Sequence, residues 1–343
     1  MVCSPLKEAS LGLPYEEGDW IGGVEDVKFS PLKFGKYTAP VPIVQGGMAV
    51  KISTAPLAAA VANEGGIGLI GASGMTEDEL RREIRLAREL SPNGIIGVNV
   101  MVAARAFSTL VKTAIDEKID LIAAGAGFSR DVFALAKEAD IPVAPIVSSA
   151  KLAKLAEKLG ASMIIVEGKE AGGHLGTDRP MLDIVPEIIA AVNVPVIAAG
   201  GIISGADIAE ALKLGASGVQ MGTRFAASEE SNAAPEFKEL YLKAKDEDVV
   251  TIQSPVGYQG RSLKNPFAVK ALADQTDRPS VCQGCLKECS HRFCLINALI
   301  RAQQGDVETG LVFTGENVAR IEEILSVKEI FRRLTAEIEA YEG

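Results

Sequence analysis

The sequence predicts a (β/α)8 barrel, the TIM-barrel fold, followed by a mainly helical extension or lid. Eight short apolar runs recur between residues 42 and 225, and their starts lie roughly 20 to 32 residues apart. Segments with helical periodicity lie between them. Strands that are apolar throughout and alternate with helices indicate a parallel sheet buried on both faces. Eight such units fit a closed barrel better than an open doubly wound sheet.

The predicted strands share β-forming apolar residues and an end at Gly, Asn or another turn-compatible position. They are Pro42–Gln45, Ile67–Ala72, Ile95–Val102, Asp120–Gly125, Pro142–Val147, Met163–Glu167, Pro195–Gly200 and Gly218–Phe225. Apolar residues recur at three- and four-residue steps in Thr76–Leu90 and Ala150–Leu159, which predicts helices with one buried stripe. Thr76 with Glu79 has the spacing of a capping box.

The alternation of predicted strands and helices begins near residue 41 and ends near residue 225, which divides the chain into three parts. Residues 1–40 are polar and irregular and are predicted to form an N-terminal arm. Residues 41–225 hold the eight repeating units of the barrel. Residues 226–343 contain helix-like stretches, including Val318–Tyr341, with turn-rich connections around Ser254–Pro266. We expect this last part to pack over or beside the barrel.

Composition excludes several classes of protein. The chain has 343 residues, is 48% hydrophobic and 23% charged, and carries a net charge of −10. It has no basic block, so nucleic acid is not an expected partner. No N-terminal apolar stretch of signal-peptide length and no membrane-spanning run is evident, so we expect a cytoplasmic protein that does not enter membranes. A homodimer is one assembly that the sequence allows.

Four of the five cysteines form a local cluster near the C-terminus. Cys282, Cys285, Cys289 and Cys294 have the spacing C-x2-C-x3-C-x4-C, with His291 inside. Disulfides are disfavoured in the cytoplasm. The cluster therefore predicts a thiolate site for Zn²⁺ or an iron–sulfur cluster, with His291 as a substitute ligand. Such a site would stabilise the lid or transfer electrons.

The ends of the predicted strands indicate where a ligand would bind, because active sites of barrels form at the carboxyl ends of the strands. Gly46-Gly47-Met48 and Asn99 occupy two of these ends. Bare backbone at such positions lets a large flat ligand approach closely. Gly200-Gly201 and Gly222-Thr223 follow the last two strands, where barrels commonly bind phosphate. A phosphate on one side and a glycine rim opposite suit flavin mononucleotide (FMN).

His174 is one of only two histidines and lies in the stretch EAGGHLGT. Histidine has the only side chain whose unperturbed pKa lies near neutrality. It follows the predicted strand end at Glu167, and glycines beside it leave room for a ring system. His174 is therefore the predicted catalytic imidazole.

A set of motifs in this order resembles the nitronate monooxygenase family, formerly called 2-nitropropane dioxygenases. They are PIVQGGMA, GVNVMV, EAGGHLG, PVIAAGGI and GVQMGTRF, spread over about residues 40–262. Close relatives of that family are the FMN-containing enoyl-acyl-carrier-protein reductases. The resemblance implies a catalytic His174 under a helical lid and FMN at the strand ends. The residues it assigns to the cofactor are Gly47, Met48, Asn99, Gly173, Gly200, Gly201, Gln220, Gly222 and Thr223. The predicted cofactor-binding set also includes their neighbours Gly46, Gly172 and Met221 and the strand end Glu167.

Two activities share these motifs, and the sequence does not separate them. One is oxidation of alkyl nitronates with O2. The other is NAD(P)H-dependent reduction of an enoyl thioester, with acyl carrier protein as partner, or of a quinone. Other readings fit less well: residues 41–262 lack the cysteine of an inosine-monophosphate-dehydrogenase relative, and none of the eight runs ends in the lysine of a Schiff-base aldolase. A flavin carrier without catalysis would not need His174.

Overall fold

The computed structural model describes residues 29–341. Cys3 and most of the predicted arm lie outside these residues. Among the residues described, no helix is both long and apolar enough to cross a bilayer.

A hairpin precedes the barrel, where the sequence predicts an irregular arm. Its strands are β1 (Leu32–Phe34) and β2 (Tyr37–Ala39), which pair antiparallel. Leu32, Phe34 and Ala39 are buried in the same apolar cluster as Val44 and other side chains of the barrel strands. The prediction of an irregular arm is therefore wrong for residues 32–39, because alternate apolar side chains anchor the hairpin on the barrel.

The eight predicted strands form a closed, parallel barrel, which confirms the predicted fold. Neighbouring strands pair in chain order, and the last pairs with the first. The barrel strands are β3 (Ile43–Gln45), β4 (Ile67–Gly71), β5 (Ile95–Met101), β6 (Leu121–Gly125), β7 (Val143–Val147), β8 (Ile164–Glu167), β10 (Val196–Ala199) and β11 (Gly218–Met221). A short strand, β9 (Gly173–Leu175), lies in the connection after β8 and outside the barrel.

Helices follow the barrel strands and cover their outer faces. They are α1 (Ala55–Asn63), α2 (Glu77–Leu90), α3 (Phe107–Asp116), α4 (Asp131–Glu138), α5 (Ala150–Lys158), α6 (Met181–Ile189), α7 (Gly205–Lys213) and α8 (Thr223–Ala226). The capping box of Thr76 and Glu79 is present at the start of α2. The last predicted strand ends four residues early, because the chain turns at Gly222 and continues as α8.

The remainder of the chain forms the extension, which mixes helices with a hairpin. Its elements are α9 (Pro235–Lys243), β12 (Val249–Gln253), β13 (Gln259–Leu263), α10 (Pro266–Leu272), α11 (Leu295–Gln303) and α12 (Val327–Glu339). Two departures from the prediction stand out. Residues 259–263 form a strand instead of a turn-rich connection, and the helix predicted over Val318–Tyr341 is interrupted between Arg320 and Ser326, the N-cap of α12.

A three-stranded sheet joins the extension to the barrel. β12 pairs with β13, and β13 pairs with β9, so that Gly260 lies opposite His174. The extension is thereby fixed over the loop that carries the predicted catalytic histidine.

Candidate functional site

A cavity of about 270 Å³ lies where the carboxyl ends of the barrel strands meet the extension. His174 and all thirteen residues predicted to bind FMN line it. These residues come from β3, β5, β8, β10 and β11 and the loops after them, so folding brings together positions that are up to 177 residues apart (residues 46 and 223).

The floor of the cavity is tightly packed backbone at the end of β3. A Cβ atom on residue 47 would lie 2.2 Å from Cβ of Asn99, so only glycine fits there. The amide of Gly46 donates to the carbonyl of Met221 at 2.9 Å, which joins the ends of β3 and β11. Asn99 and the glycine backbone therefore form one continuous surface.

Ser53 fixes the loop that follows. Its hydroxyl accepts a hydrogen bond from the amide of Met48 at 2.7 Å, and its own amide donates to the carbonyl of Met48 at 3.0 Å. With both backbone groups of Met48 held, this part of the cavity wall is organised before any ligand binds.

The glycines after β10 and β11 form the opposite side. Gly200 and Gly201 have φ of +114° and +73°, in the region that side chains disfavour. Gly222 has open space where a side chain would lie, since the nearest atom to an added Cβ is Sδ of Met48 at 3.9 Å.

Two contacts from the extension close this side. The side-chain amide of Asn317 donates to the carbonyl of Gly201 at 2.6 Å, and the amide of Gly315 donates to Oγ1 of Thr223 at 2.9 Å. A ligand held by these glycines would therefore lie between the barrel and the extension.

Gln220 carries a buried acceptor without a donor. Its side chain lines the cavity and is 9% exposed, and its Oε1 has no hydrogen-bond partner among the residues described. Leaving a buried polar group unpaired costs about 1–3 kcal/mol. An unpaired acceptor in a cavity wall indicates a ligand that donates a hydrogen bond there.

His174 is held from two directions. Its Nε2 lies 2.8 Å from Oγ of Ser254, and its ring meets the ring of Phe313 edge-on at a centroid distance of 5.2 Å. Burial lowers its pKa to about 4, so the imidazole is neutral at neutral pH.

Ser254 holds one ring nitrogen of His174. Its hydroxyl lies 2.8 Å from Nε2, and which of the two atoms donates depends on the tautomer of the ring. The amide of Val256 donates to the same hydroxyl at 3.5 Å. Nδ1 has no partner among the described residues, so in the tautomer that is protonated at Nδ1, His174 can donate a hydrogen bond from that atom to a ligand.

Glu167 is a second titratable group in the wall, at the end of β8. Burial raises its pKa to about 8, so the carboxyl group is largely protonated at neutral pH. It is then a neutral hydrogen-bond donor that faces the same cavity as His174.

The extension adds an apolar wall that the sequence did not reveal. Its members share large hydrophobic side chains on α9, on α11 and near the segment 311–313; they are Phe237, Tyr241, Leu295, Ile296, Leu299, Leu311 and Phe313. The spacing of apolar residues in α11 could have indicated a buried face. It could not have indicated that this face borders the cavity.

None of the four cysteines of the cluster lines the cavity, although Cys294 directly precedes Leu295, which does. Cys282 is exposed, and Cys285, Cys289 and Cys294 are partly buried free thiols. Among residues 29–341, no three His, Cys, Asp or Glu side chains are close enough together to hold a metal ion as they stand. The positions of these side chains therefore do not support the predicted Zn²⁺ or iron–sulfur site.

Comparison with known proteins agrees with this geometry. The sequence profile of the family described as Nitronate monooxygenase matches residues 30–108 and 92–337. A probable nitronate monooxygenase of Staphylococcus aureus is 31% identical over 283 residues, which are 69% of this chain and 79% of that protein.

Two solved structures extend the comparison to 87% of this chain. FabK from Thermotoga maritima superposes with a TM-score of 0.80 and 37% identity, over 87% of this chain and 93% of FabK. A nitroalkane oxidase from Streptomyces ansochromogenes gives 0.75 and 26%, over 87% and 96%. A glycine-lined cavity with His174 at its edge, in a closed barrel whose sequence matches the family profile from end to end, has one consistent reading: this chain belongs to the nitronate monooxygenase family of oxidoreductases.

Proposed function

We propose that this protein is an FMN-dependent oxidoreductase that oxidises alkyl nitronates with O2. The observation that carries the proposal is the neutral imidazole of His174, whose Nδ1 has no partner among the described residues, in a glycine-lined cavity. The likeness to a nitroalkane oxidase at 26% identity supports the substrate class.

The residues of the cavity fit FMN. The unpaired Oε1 of Gln220 suits a ring N–H, and Asn99 offers an amide beside the bare backbone at Gly47. The glycines after β10 and β11 leave room and backbone N–H groups for the phosphate. Bound FMN would supply the redox chemistry, since it accepts electrons from a substrate and passes them to O2.

The state of His174 favours a nitronate over a neutral nitroalkane. A base with a pKa of about 4 removes a proton from carbon poorly, but a nitronate has already lost that proton. Its two oxygens carry the negative charge, and Nδ1–H of His174 can donate to one of them. A hydrogen bond to a charged acceptor contributes about 1.5–3 kcal/mol. His174 would thus bind and orient the substrate.

A second candidate follows from the apolar wall. Phe237, Leu299 and Phe313 offer more hydrophobic surface than a short nitronate needs. An enoyl thioester with an alkyl chain would use it, with NAD(P)H as electron donor and acyl carrier protein as the carrier. In that reaction Nδ1–H of His174 would orient the thioester carbonyl or deliver a proton.

Mixing experiments separate the two activities. We expect anaerobic propionate 3-nitronate to bleach the yellow band of the purified protein, because the substrate is the electron donor in nitronate oxidation. NADH or NADPH alone should leave the band unchanged. Bleaching by either nucleotide without nitronate, followed by reoxidation with an enoyl thioester, would overturn the first assignment in favour of the second.

Variants of the histidine pair test its role. We expect His174→Ala to keep the flavin and lower kcat/KM for the nitronate by about 10–10²-fold, which corresponds to the loss of a hydrogen bond to a charged acceptor worth about 1.5–3 kcal/mol. Ser254→Ala should lower it less, because Nε2 loses its partner while the ring keeps its contact with Phe313. Ser254→Thr keeps the hydroxyl and is the matched control, with a kcat/KM like that of the wild type. A near wild-type rate for His174→Ala would remove this residue from the reaction.

Gly222→Val tests where the cofactor lies. The space beside residue 222 is empty of protein atoms out to 3.9 Å, and its φ of −107° suits a side chain. The apoprotein should therefore fold with an unchanged unfolding temperature. The valine would occupy the space proposed for the cofactor, so Kd for FMN, measured by flavin fluorescence, should rise at least about tenfold. Unchanged FMN affinity would contradict the proposed phosphate side.

The pH dependence of FMN binding tests Glu167. A cofactor that covers Glu167 raises its pKa further, so binding takes up a proton when the pH exceeds about 8. Between pH 7 and 9.5 we expect Kd for FMN to rise by up to about tenfold per pH unit above 8. Glu167→Gln, which stays neutral, should show no such rise. The same slope in both proteins would show that another group titrates.

A further inference from the structure

We propose that Cys282, Cys285, Cys289 and Cys294 bind a thiophilic metal as four thiolates, and that this metal fixes the start of α11 over the cavity. The free protein holds the backbone of such a centre but not its closed set of sulfurs. The proposal is independent of which substrate the cavity takes.

Two turns in the cluster have the same local geometry. The amide of Gly284 donates to Sγ of Cys282, and the amide of His291 donates to Sγ of Cys289, both at 3.4 Å. The donor is in each case the residue two positions after the cysteine, and each has positive φ, +63° and +56°. A non-glycine residue such as His291 rarely adopts this conformation. The two turns thus direct N–H groups at sulfur, where hydrogen bonds favour the thiolate that a metal requires.

The other two cysteines lie close to these turns. Cys285 follows Gly284 directly and is partly buried, and Cys294 lies five residues after Cys289 at the start of α11. A metal displaces the protons and holds thiolates at about 2.3 Å in the case of Zn²⁺. Side-chain rotations on a backbone already folded would bring the sulfurs in.

Backbone contacts tie the cluster to the barrel and to the histidine pair. The amide of Arg105, in the loop after β5, donates to the carbonyl of Cys285 at 2.9 Å, and the amide of Lys287 donates to the carbonyl of Ala103 at 3.0 Å. The amide of Ser290 donates to the carbonyl of Pro255 at 3.0 Å. Pro255 follows Ser254, the partner of His174, so the position of the cluster bears on the catalytic imidazole.

The last cysteine connects the cluster to the apolar wall. Cys294 is the N-cap residue of α11, and its side chain makes no capping hydrogen bond, so its sulfur is available. Leu295, Ile296 and Leu299 follow in the first turns of that helix and line the cavity. A metal bound to Cys294 would therefore hold these side chains at the edge of the substrate space.

Metal and sulfide analysis of the full-length protein, purified with its flavin under anaerobic conditions, tests the proposal directly. We expect about one zinc per chain with only the flavin spectrum, or iron with acid-labile sulfide and a broad added absorption; either result supports a four-thiolate centre and identifies its metal. Protein without bound metal, which after reduction also fails to take Zn²⁺ from a chromophoric chelator, would overturn the proposal.

Variants locate the site and its effect. Cys285→Ser should lower the metal content at least about tenfold, whereas Cys3→Ser, outside the cluster in the sequence, should leave it unchanged. Cys282→Ser, at the exposed position, is the second variant to use if Cys285→Ser fails to fold.

Removal of the metal tests its effect on the cavity. Metal-depleted protein should keep its flavin absorption band, show a KM that rises more than kcat falls, and be cleaved faster by protease between residues 275 and 294. If both cluster variants kept the metal content of the wild type, the assignment of the ligands would be contradicted. If removal of the metal left KM unchanged, the link to α11 would be contradicted.

Discussion

The pairing of β9 with β13 is the contact on which the candidate site depends. It places Gly260 opposite His174 and brings Ser254, at the turn of the same hairpin, within 2.8 Å of the imidazole. Without it His174 would belong to a glycine-rich loop with no fixed orientation. Arg261 strengthens the join, because its guanidinium donates to the carbonyl of Lys169 at 2.6 Å and to Glu316 at 2.9 Å. Burial of the ring follows from this junction, and burial is what keeps the imidazole neutral.

Close packing explains the glycines around the cavity, and it gives them two separate roles. Gly47 is required by the protein itself, since Asn99 fills the space that a side chain would need. Gly222 is not required by any neighbouring protein atom among the described residues, and it lines the cavity. Some glycines are therefore needed for the packing of the cavity wall, and others leave open space inside the cavity. The sequence of a motif alone does not show which role a glycine has.

The extension changes the chemistry available to the barrel. The barrel supplies polar and backbone groups, whereas α9, α11 and the segment 311–317 supply apolar surface and two hydrogen bonds to the glycine side of the cavity. The balance between a small anionic nitronate and a longer thioester is therefore set mainly by the extension. The cysteine segment, through Cys294 and the contact of Ser290 with Pro255, connects to both parts of that surface.

The sequence by itself determined the barrel, its eight strands and the residues of the barrel side that line the cavity, because period, turn residues and strand ends are local signals. Thr76 and Glu79 form a capping box for the same reason. Only the tertiary structure decided what lies opposite those residues. Ser254, Phe313 and Asn317 are 80 or more residues from the groups they contact, and such pairings depend on how the hairpin and α11 dock. The interruption before α12 and the strand β13 were missed because docking against the barrel overrides local helical and turn preferences. Oε1 of Gln220 likewise lacks a hydrogen-bond partner only in the folded protein, because burial leaves it without a donor among the described residues.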